Sequence, residues 1–298
     1  MALSPNTQLA SAAVLLGASL WGLYWIPVRH LEDAGIDGAT TVAILNAPAG
    51  IITAIWVAAT WKSQAPHWKY ALVTGFFAGA ALALYGVSIT QTSVIRATIL
   101  FYLMPIWATM IGVVWLGETA DWRRWAAIFF GLTGLFLLLW SDAATGFRMG
   151  DILAFLSGWV WAVATALMKK TGKVPIGGIL CVQFIAVAVV ALALGATLGG
   201  TVWPDATNFA TALSIGTLIS VFGLLPALVM IFWASQFLFP GRVGLLLMAE
   251  VVVAVISASI LLPEEALPLA HWGAVILIVG AAGIEFLPTK PKPDRSLS

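Results

Sequence analysis

The chain has 298 residues, 61% hydrophobic and 9% charged, whereas soluble domains carry roughly a quarter charged residues; a soluble fold is excluded. Lys and Arg total 14 against 13 for Asp and Glu, and a net charge of +1 argues against a nucleic-acid partner or an acidic surface substrate. Apolar residues come in continuous runs such as Ala43 to Ala59, which fits spanning helices and not the alternating strands of a membrane barrel.

A spanning helix needs roughly 20 apolar residues, and runs of that order recur between short polar breaks. The first is Ala10 to Val28; no Lys or Arg precedes it, so it reads as a span and not as a cleaved signal. Thr40 to Trp61, Ala71 to Thr90, Ala97 to Leu116 and Trp125 to Trp140 follow. Ile152 to Met168, Ile179 to Leu198, Thr211 to Trp233, Val243 to Leu262 and Trp272 to Leu287 complete ten spans. The single cysteine, Cys181, lies in an apolar run, and Pro288 to Ser298, with its alternating Lys and Pro, reads as a disordered end.

Basic residues collect in cytoplasmic loops. Eleven of the 14 fall on the amino-terminal side: Lys62, Lys69, Arg123, Arg124, Lys169, Lys170, Lys173, Arg242, Lys290, Lys292 and Arg295. Arg29, Arg96 and Arg148 fall on the other. Both termini are therefore expected in the cytoplasm. Trp56, Trp61, Trp68, Trp122, Trp140 and Trp203 lie near span ends, as interfacial anchors do.

Ten spans divide into two sets of five that begin on opposite sides of the bilayer, the pattern of an inverted repeat. We place the first repeat at residues 1–145 and the second, with a short cytoplasmic tail, at 146–298. Trp125 follows Glu118 by seven residues after the fourth span, and Trp272 follows Glu265 by seven after the ninth. The expected fold is all-α and integral to the membrane.

Leu20-Trp21-Gly22, Tyr102-Leu103-Met104-Pro105, Leu116-Gly117-Glu118 and Gly150-Asp151-Ile152-Leu153-Ala154-Phe155-Leu156-Ser157 with Trp161-Ala162 together resemble the EamA-type branch of the drug/metabolite transporter superfamily. Within it the pattern looks most like YddG-type exporters of aromatic and other neutral amino acids. That resemblance implies a ten-helix carrier with a central cavity, in a plasma membrane (a bacterial inner membrane). Ala249-Glu250-Val251 departs from it, because the second repeat often has a proline where Pro105 stands in the first. The departure puts in doubt any mechanism that needs matched helix breaks in both halves.

Polar or small residues at helical spacing mark faces turned away from lipid. Thr98, Tyr102, Pro105, Thr109 and Gly112 form such a face in the fourth span, either a cavity wall or a packed kink. Trp21 and Trp25 in the first span, Trp159 in the sixth and Trp233 in the eighth are candidate ring walls, with packing or lipid contact as the alternative. Gly75, Gly79, Ala83 and Gly86 read as a packing stripe, with Tyr85 about a quarter turn away and able to reach the cavity. Glu250 lies deep in the ninth span, one face-repeat before Ser257. A carboxylate costs several kcal/mol there if charged and unpaired, so it is a functional candidate for a solute ammonium or a proton; the alternative is an acid hydrogen-bonded to a neighbouring helix. Glu118, Glu264 and Glu265 fall at loop edges and are expected to be solvated.

The candidate substrate-binding residues are thus Trp21, Trp25, Tyr85, Thr98, Tyr102, Pro105, Thr109, Trp159, Trp233, Glu250 and Ser257. The expected partners are a small-molecule substrate, neutral amino acids, and the lipid bilayer, and the sequence is compatible with a monomer. Proton-coupled efflux of cationic drugs or other small metabolites is the competing reading. No H-E-x-x-H, G-x-S-x-G or Gly-rich phosphate loop occurs, and His30, His67 and His271 are scattered. Neither an enzyme, a metal nor a cofactor is expected.

Overall fold

The computed structural model describes residues 5–139, 148–172, 174–198, 204–261 and 272–286, and every regular element among them is a helix. α1 (Pro5–Trp21) and α2 (Trp25–Asp33) make one apolar run interrupted at Gly22 to Tyr24. α3 (Gly38–Ala59), α4 (Trp61–Gln64), a 3-10 turn and α5 (Trp68–Gln91) follow. Next come α6 (Val94–Phe101), α7 (Met104–Leu116) and α8 (Trp122–Leu139). Beyond residue 148 lie α9 (Met149–Thr171), α10 (Ile176–Leu198), α11 (Ala206–Ile219) and α12 (Leu225–Ser235). α13 (Pro240–Leu247), α14 (Ala249–Leu261) and α15 (Trp272–Phe286) end the described chain.

Seven helical runs among the described residues are long and apolar enough to cross a membrane, and they match the first to third and sixth to ninth expected spans. The expected fourth span is divided into α6 and α7, while the fifth and tenth correspond to α8, of 18 residues, and α15, of 15. Trp140, Trp203, Glu264, Glu265, His271 and the tail lie outside the described residues.

Four expected spans are not continuous α-helices, and three of the interruptions follow from proline. Pro27, Pro105 and Pro226 lack the N–H that would bond the carbonyl four residues earlier. The chain answers with turns at Leu23–Tyr24 and Tyr102–Leu103 and with a π segment at Ser220–Leu224. The Phe101 carbonyl freed by Pro105 abuts α9, where a Cβ on Gly158 would stand 2.4 Å from it. The fourth interruption, at Met248, has no proline. There the Tyr102 hydroxyl donates to the Leu247 carbonyl at 2.6 Å, the acceptor Val251 N–H would use in a regular helix, and Val251 N–H bonds Met248 O instead at 3.1 Å. The missing proline in the second half therefore does not prevent a matched break, contrary to the doubt raised by Ala249-Glu250-Val251.

The two sequence halves interlock. α1 packs on α12, α13 and α14; α5 on α9 and α10; α3 on α10 and α11; α7 on α9 and α13; α8 on α15. The α5 stripe acts as expected: a Cβ on Gly75 would lie 2.6 Å from the Ile179 carbonyl, and one on Gly79 would lie 2.5 Å from that of Gln183. Backbone approach that close leaves no room for a larger side chain. Gly79→Val should therefore cost about 1–3 kcal/mol by overpacking, read as a lower midpoint of thermal unfolding in detergent. Gly280→Ala, inside α15 with nothing within 4 Å of the added carbon, should not lower the midpoint.

Candidate functional site

Helix interruptions expose backbone acceptors and turn side chains off their regular faces, and three of the four interruptions meet at one place. Tyr102, in the turn between α6 and α7, is fully buried and reaches across to the turn between α13 and α14. Its hydroxyl lies 2.6 Å from the Leu247 carbonyl and 2.6 Å from Oε2 of Glu250. The other carboxyl oxygen, Oε1, faces the Tyr85 hydroxyl of α5 at 3.3 Å, and Tyr85 in turn meets the Thr98 hydroxyl of α6 at 3.0 Å. Glu250 thus sits in the first turn of α14, buried, with hydroxyls as its hydrogen-bond partners. Charged partners at membrane depth are replaced by phenols, which bond either state of the acid.

The third interruption, between α1 and α2, supplies aromatic walls. Trp21 and Tyr24 stack with ring centroids 4.8 Å apart and planes 15° from parallel. Trp25 donates its indole N–H to Ser257 Oγ on α14 at 3.1 Å. Gly22 lets α1 reach α14: a Cβ there would lie 2.7 Å from the Glu250 carbonyl. Trp21, Tyr24, Trp25, Tyr85, Glu250 and Ala254 line a cavity of about 10 Å³, space for roughly one water. A second hollow of about 250 Å³, between α3 and α10, is walled by Gly50, Ile51, Phe184 and Ile185 among other apolar residues. Larger as it is, it offers no polar group to orient a solute.

Seven of the expected residues are brought together: Trp21, Trp25, Tyr85, Thr98, Tyr102, Glu250 and Ser257. Four are not. Pro105 packs against Gly244 and Thr109 is buried beside Gly241, so the lower part of that stripe is helix packing. Trp159 is 46% exposed on the outer surface, and Trp233 packs against Phe237 in a tilted pair with ring centroids 5.0 Å apart, away from the cavity. Phe222, in the π segment of the same span, is 71% exposed. A face assignment made for a continuous helix fails for α11 to α12 because the π segment rotates one part against the other.

Three features escaped the sequence. Tyr24 stands three residues after Trp21, and the turn that follows α1 stacks its ring on that tryptophan and so onto the wall. Arg96, expected in a loop, donates from Nη2 to Oδ2 of the fully buried Asp151 at 2.7 Å, and Asp151 also accepts from the Thr92 hydroxyl at 2.9 Å and the Arg148 N–H at 2.9 Å. The pair ties α6 to the first turn of α9. Glu118, expected to be solvated, is buried and paired with Arg124. Gly117, at φ 68°, closes α7 and turns Glu118 back over Gly112.

Comparison with known proteins agrees with this architecture. The sequence pattern of the EamA-like transporter family matches residues 8–140 and again residues 148–286. An uncharacterized transporter from Archaeoglobus fulgidus is 32% identical over 92 residues, covering 31% of this chain and 33% of that protein. The alignment thus spans about a third of that relative's length. A crystal structure covers 95% of this chain and 96% of its own at a TM-score of 0.65 and 20% identity, a likeness of fold alone.

The cluster makes Tyr102 the best place to perturb the site. Tyr102→Phe leaves two buried oxygens, Leu247 O and Glu250 Oε2, each short of a hydrogen-bond partner, which costs about 1–3 kcal/mol. Thermal unfolding in detergent should show a lowered midpoint. Trp159→Phe on the exposed surface should stay within about 0.5 kcal/mol of the parent.

Proposed function

We propose that this chain, which belongs to the EamA-like transporter family, exports small neutral amino acids, aromatic ones included, by alternating access. The family establishes a multi-pass membrane transporter. The observation that carries the finer reading is the buried carboxyl of Glu250 at the edge of a cavity walled by Trp21, Tyr24 and Trp25. A zwitterion presents an ammonium group for the carboxylate and a side chain for the rings. Its own carboxylate would be met by hydroxyls such as Thr98 and Tyr85 or by N–H groups at the helix interruptions, as at the broken helices of other carriers.

In the conformation described, the cavity is far too small for an amino acid, so the solute enters only after the helices around it move apart. Ten spans in two inverted halves, at residues 1–145 and 146–298, would provide that motion. The repeated family match supports the division. The helix pairing supports the inversion: exchanging the two halves maps α1 on α12 onto α9 on α5, and the α3–α10 and α8–α15 pairs onto themselves. The basic residues gathered on one side support a topology with both termini in the cytoplasm.

A second reading, efflux of organic cations, draws on the same cavity, because rings and a carboxylate also suit a cation. Uptake of a labelled panel into liposomes separates the two. Aromatic and aliphatic neutral amino acids should enter and compete with one another, with lysine, glutamate and lipophilic cations excluded; transport of the lipophilic cations alone would replace the amino-acid reading. Trp21→Ala should raise KM for aromatic solutes about 2- to 10-fold more than for aliphatic ones, the value of one ring–ring contact. A reporter fused after Ser298 should be active only in its cytosolic form, and activity on the other side would overturn the topology.

A further inference from the structure

We propose that Glu250 holds a proton in this closed conformation and that this proton is the ion exchanged for the solute. The inference rests on the cavity being the transport site, but its geometric basis is a count of hydrogens. Four close oxygen–oxygen contacts run in a line: Leu247 O to Tyr102 Oη at 2.6 Å, Tyr102 Oη to Glu250 Oε2 at 2.6 Å, Glu250 Oε1 to Tyr85 Oη at 3.3 Å, and Tyr85 Oη to Thr98 Oγ1 at 3.0 Å. Each needs one hydrogen between its oxygens. The carbonyl supplies none, and Tyr102, Tyr85 and Thr98 supply one each, three in all. The fourth must come from the carboxyl group.

Only one arrangement satisfies every contact with that carboxyl proton in place. The Tyr102 hydroxyl donates to Leu247 O, Glu250 Oε2–H donates to Tyr102 Oη, Tyr85 donates to Oε1, and Thr98 donates to Tyr85. With an ionised Glu250, one contact would set two acceptor oxygens against each other, and the 2.6 Å separations on either side of Tyr102 would leave a short repulsive approach. Burial acts in the same direction, since an uncompensated carboxylate is costly at membrane depth. The titratable groups around Glu250 are the phenols Tyr24 of the α1–α2 turn, Tyr85 of α5 and Tyr102 of the α6–α7 turn. Neither of its side-chain hydrogen bonds comes from Lys, Arg or His.

The exchange then balances. When the helices part and water reaches the cavity, the Oε2–H bond breaks and its proton passes to water. The carboxylate left behind takes the solute ammonium. On the opposite side the ammonium leaves and a proton from that solution rejoins Oε2. One carboxyl group holds either the proton or the ammonium and not both, so one solute crosses for each proton moving the other way. The closed arrangement described here, with Tyr102 bridging two helix turns, forms only with the proton bound.

Infrared spectroscopy of the purified chain in detergent at neutral pH, without solute, tests the proton directly. A protonated-carboxyl carbonyl band should be present in the parent and absent from Glu250→Gln, whose amide replaces the acid's donor and acceptor. Tyr102→Phe keeps the acid and should shift the band to the higher frequency of a more weakly bonded group. No difference in that region between the parent and Glu250→Gln, together with no shift in Tyr102→Phe, overturns the assignment. Liposomes loaded with a pH-sensitive dye test the coupling: movement of labelled amino acid should change the internal pH with one proton per solute, and movement without any change overturns it. If no amino acid moves while the infrared band behaves as stated, the solute assignment fails and the proton site stands.

Discussion

The structure depends on one hydroxyl. Tyr102 of the first half places its phenol between the backbone carbonyl of Leu247 and the carboxyl of Glu250, both in the second half. A membrane interior offers no water to serve these groups, so each must find a protein partner. By occupying the Leu247 carbonyl, the phenol diverts the hydrogen bond that would have continued the helix and sets the turn at which Glu250 is presented. The same contact therefore breaks the ninth span, positions its acid and joins the two halves.

Around that contact the chain has sorted its polar groups by depth. Phenols and hydroxyls serve Glu250 in the interior, whereas formal ion pairs occur where helices begin or end: Arg96 with Asp151 at the starts of α6 and α9, and Glu118 with Arg124 between α7 and α8. Two buried charges gain little net stability over apolar neighbours, but removing one partner is costly. Such pairs therefore act less as a source of stability than as a constraint on which helix ends lie together.

Much of this was legible in the sequence, and the exceptions share a cause. Spans could be read because hydrocarbon imposes a minimum apolar length, and the Gly75, Gly79, Gly86 stripe because close backbones admit only small residues. Glu250 stood out as an acid at depth. Seven of the candidate residues come together because each lies on a helix face whose period survives up to an interruption. Trp233 falls away from the cavity because a face is defined only within one unbroken helix, and the π segment interrupts its span. The break at Met248 had no local signal at all: the residue that makes it lies 145 positions away from the carbonyl it takes. Nothing local joined Arg96 to Asp151, 55 positions apart, until the fold set them 2.7 Å from each other.

The interlocking of the halves bears on how the protein is made. α1, α3, α5, α7 and α8 each find principal packing partners among α9 to α15, so the first half emerging from the ribosome has few surfaces to bury against itself. Its glycine stripe on α5 and the acceptors at its helix interruptions must wait in the bilayer until the later helices arrive. Insertion and assembly are then separate events, with helices stable one by one before they pack. The moment at which the Tyr102 phenol meets Leu247 comes only after nearly the whole chain has been synthesised, and until then the membrane holds a set of spans without a carrier.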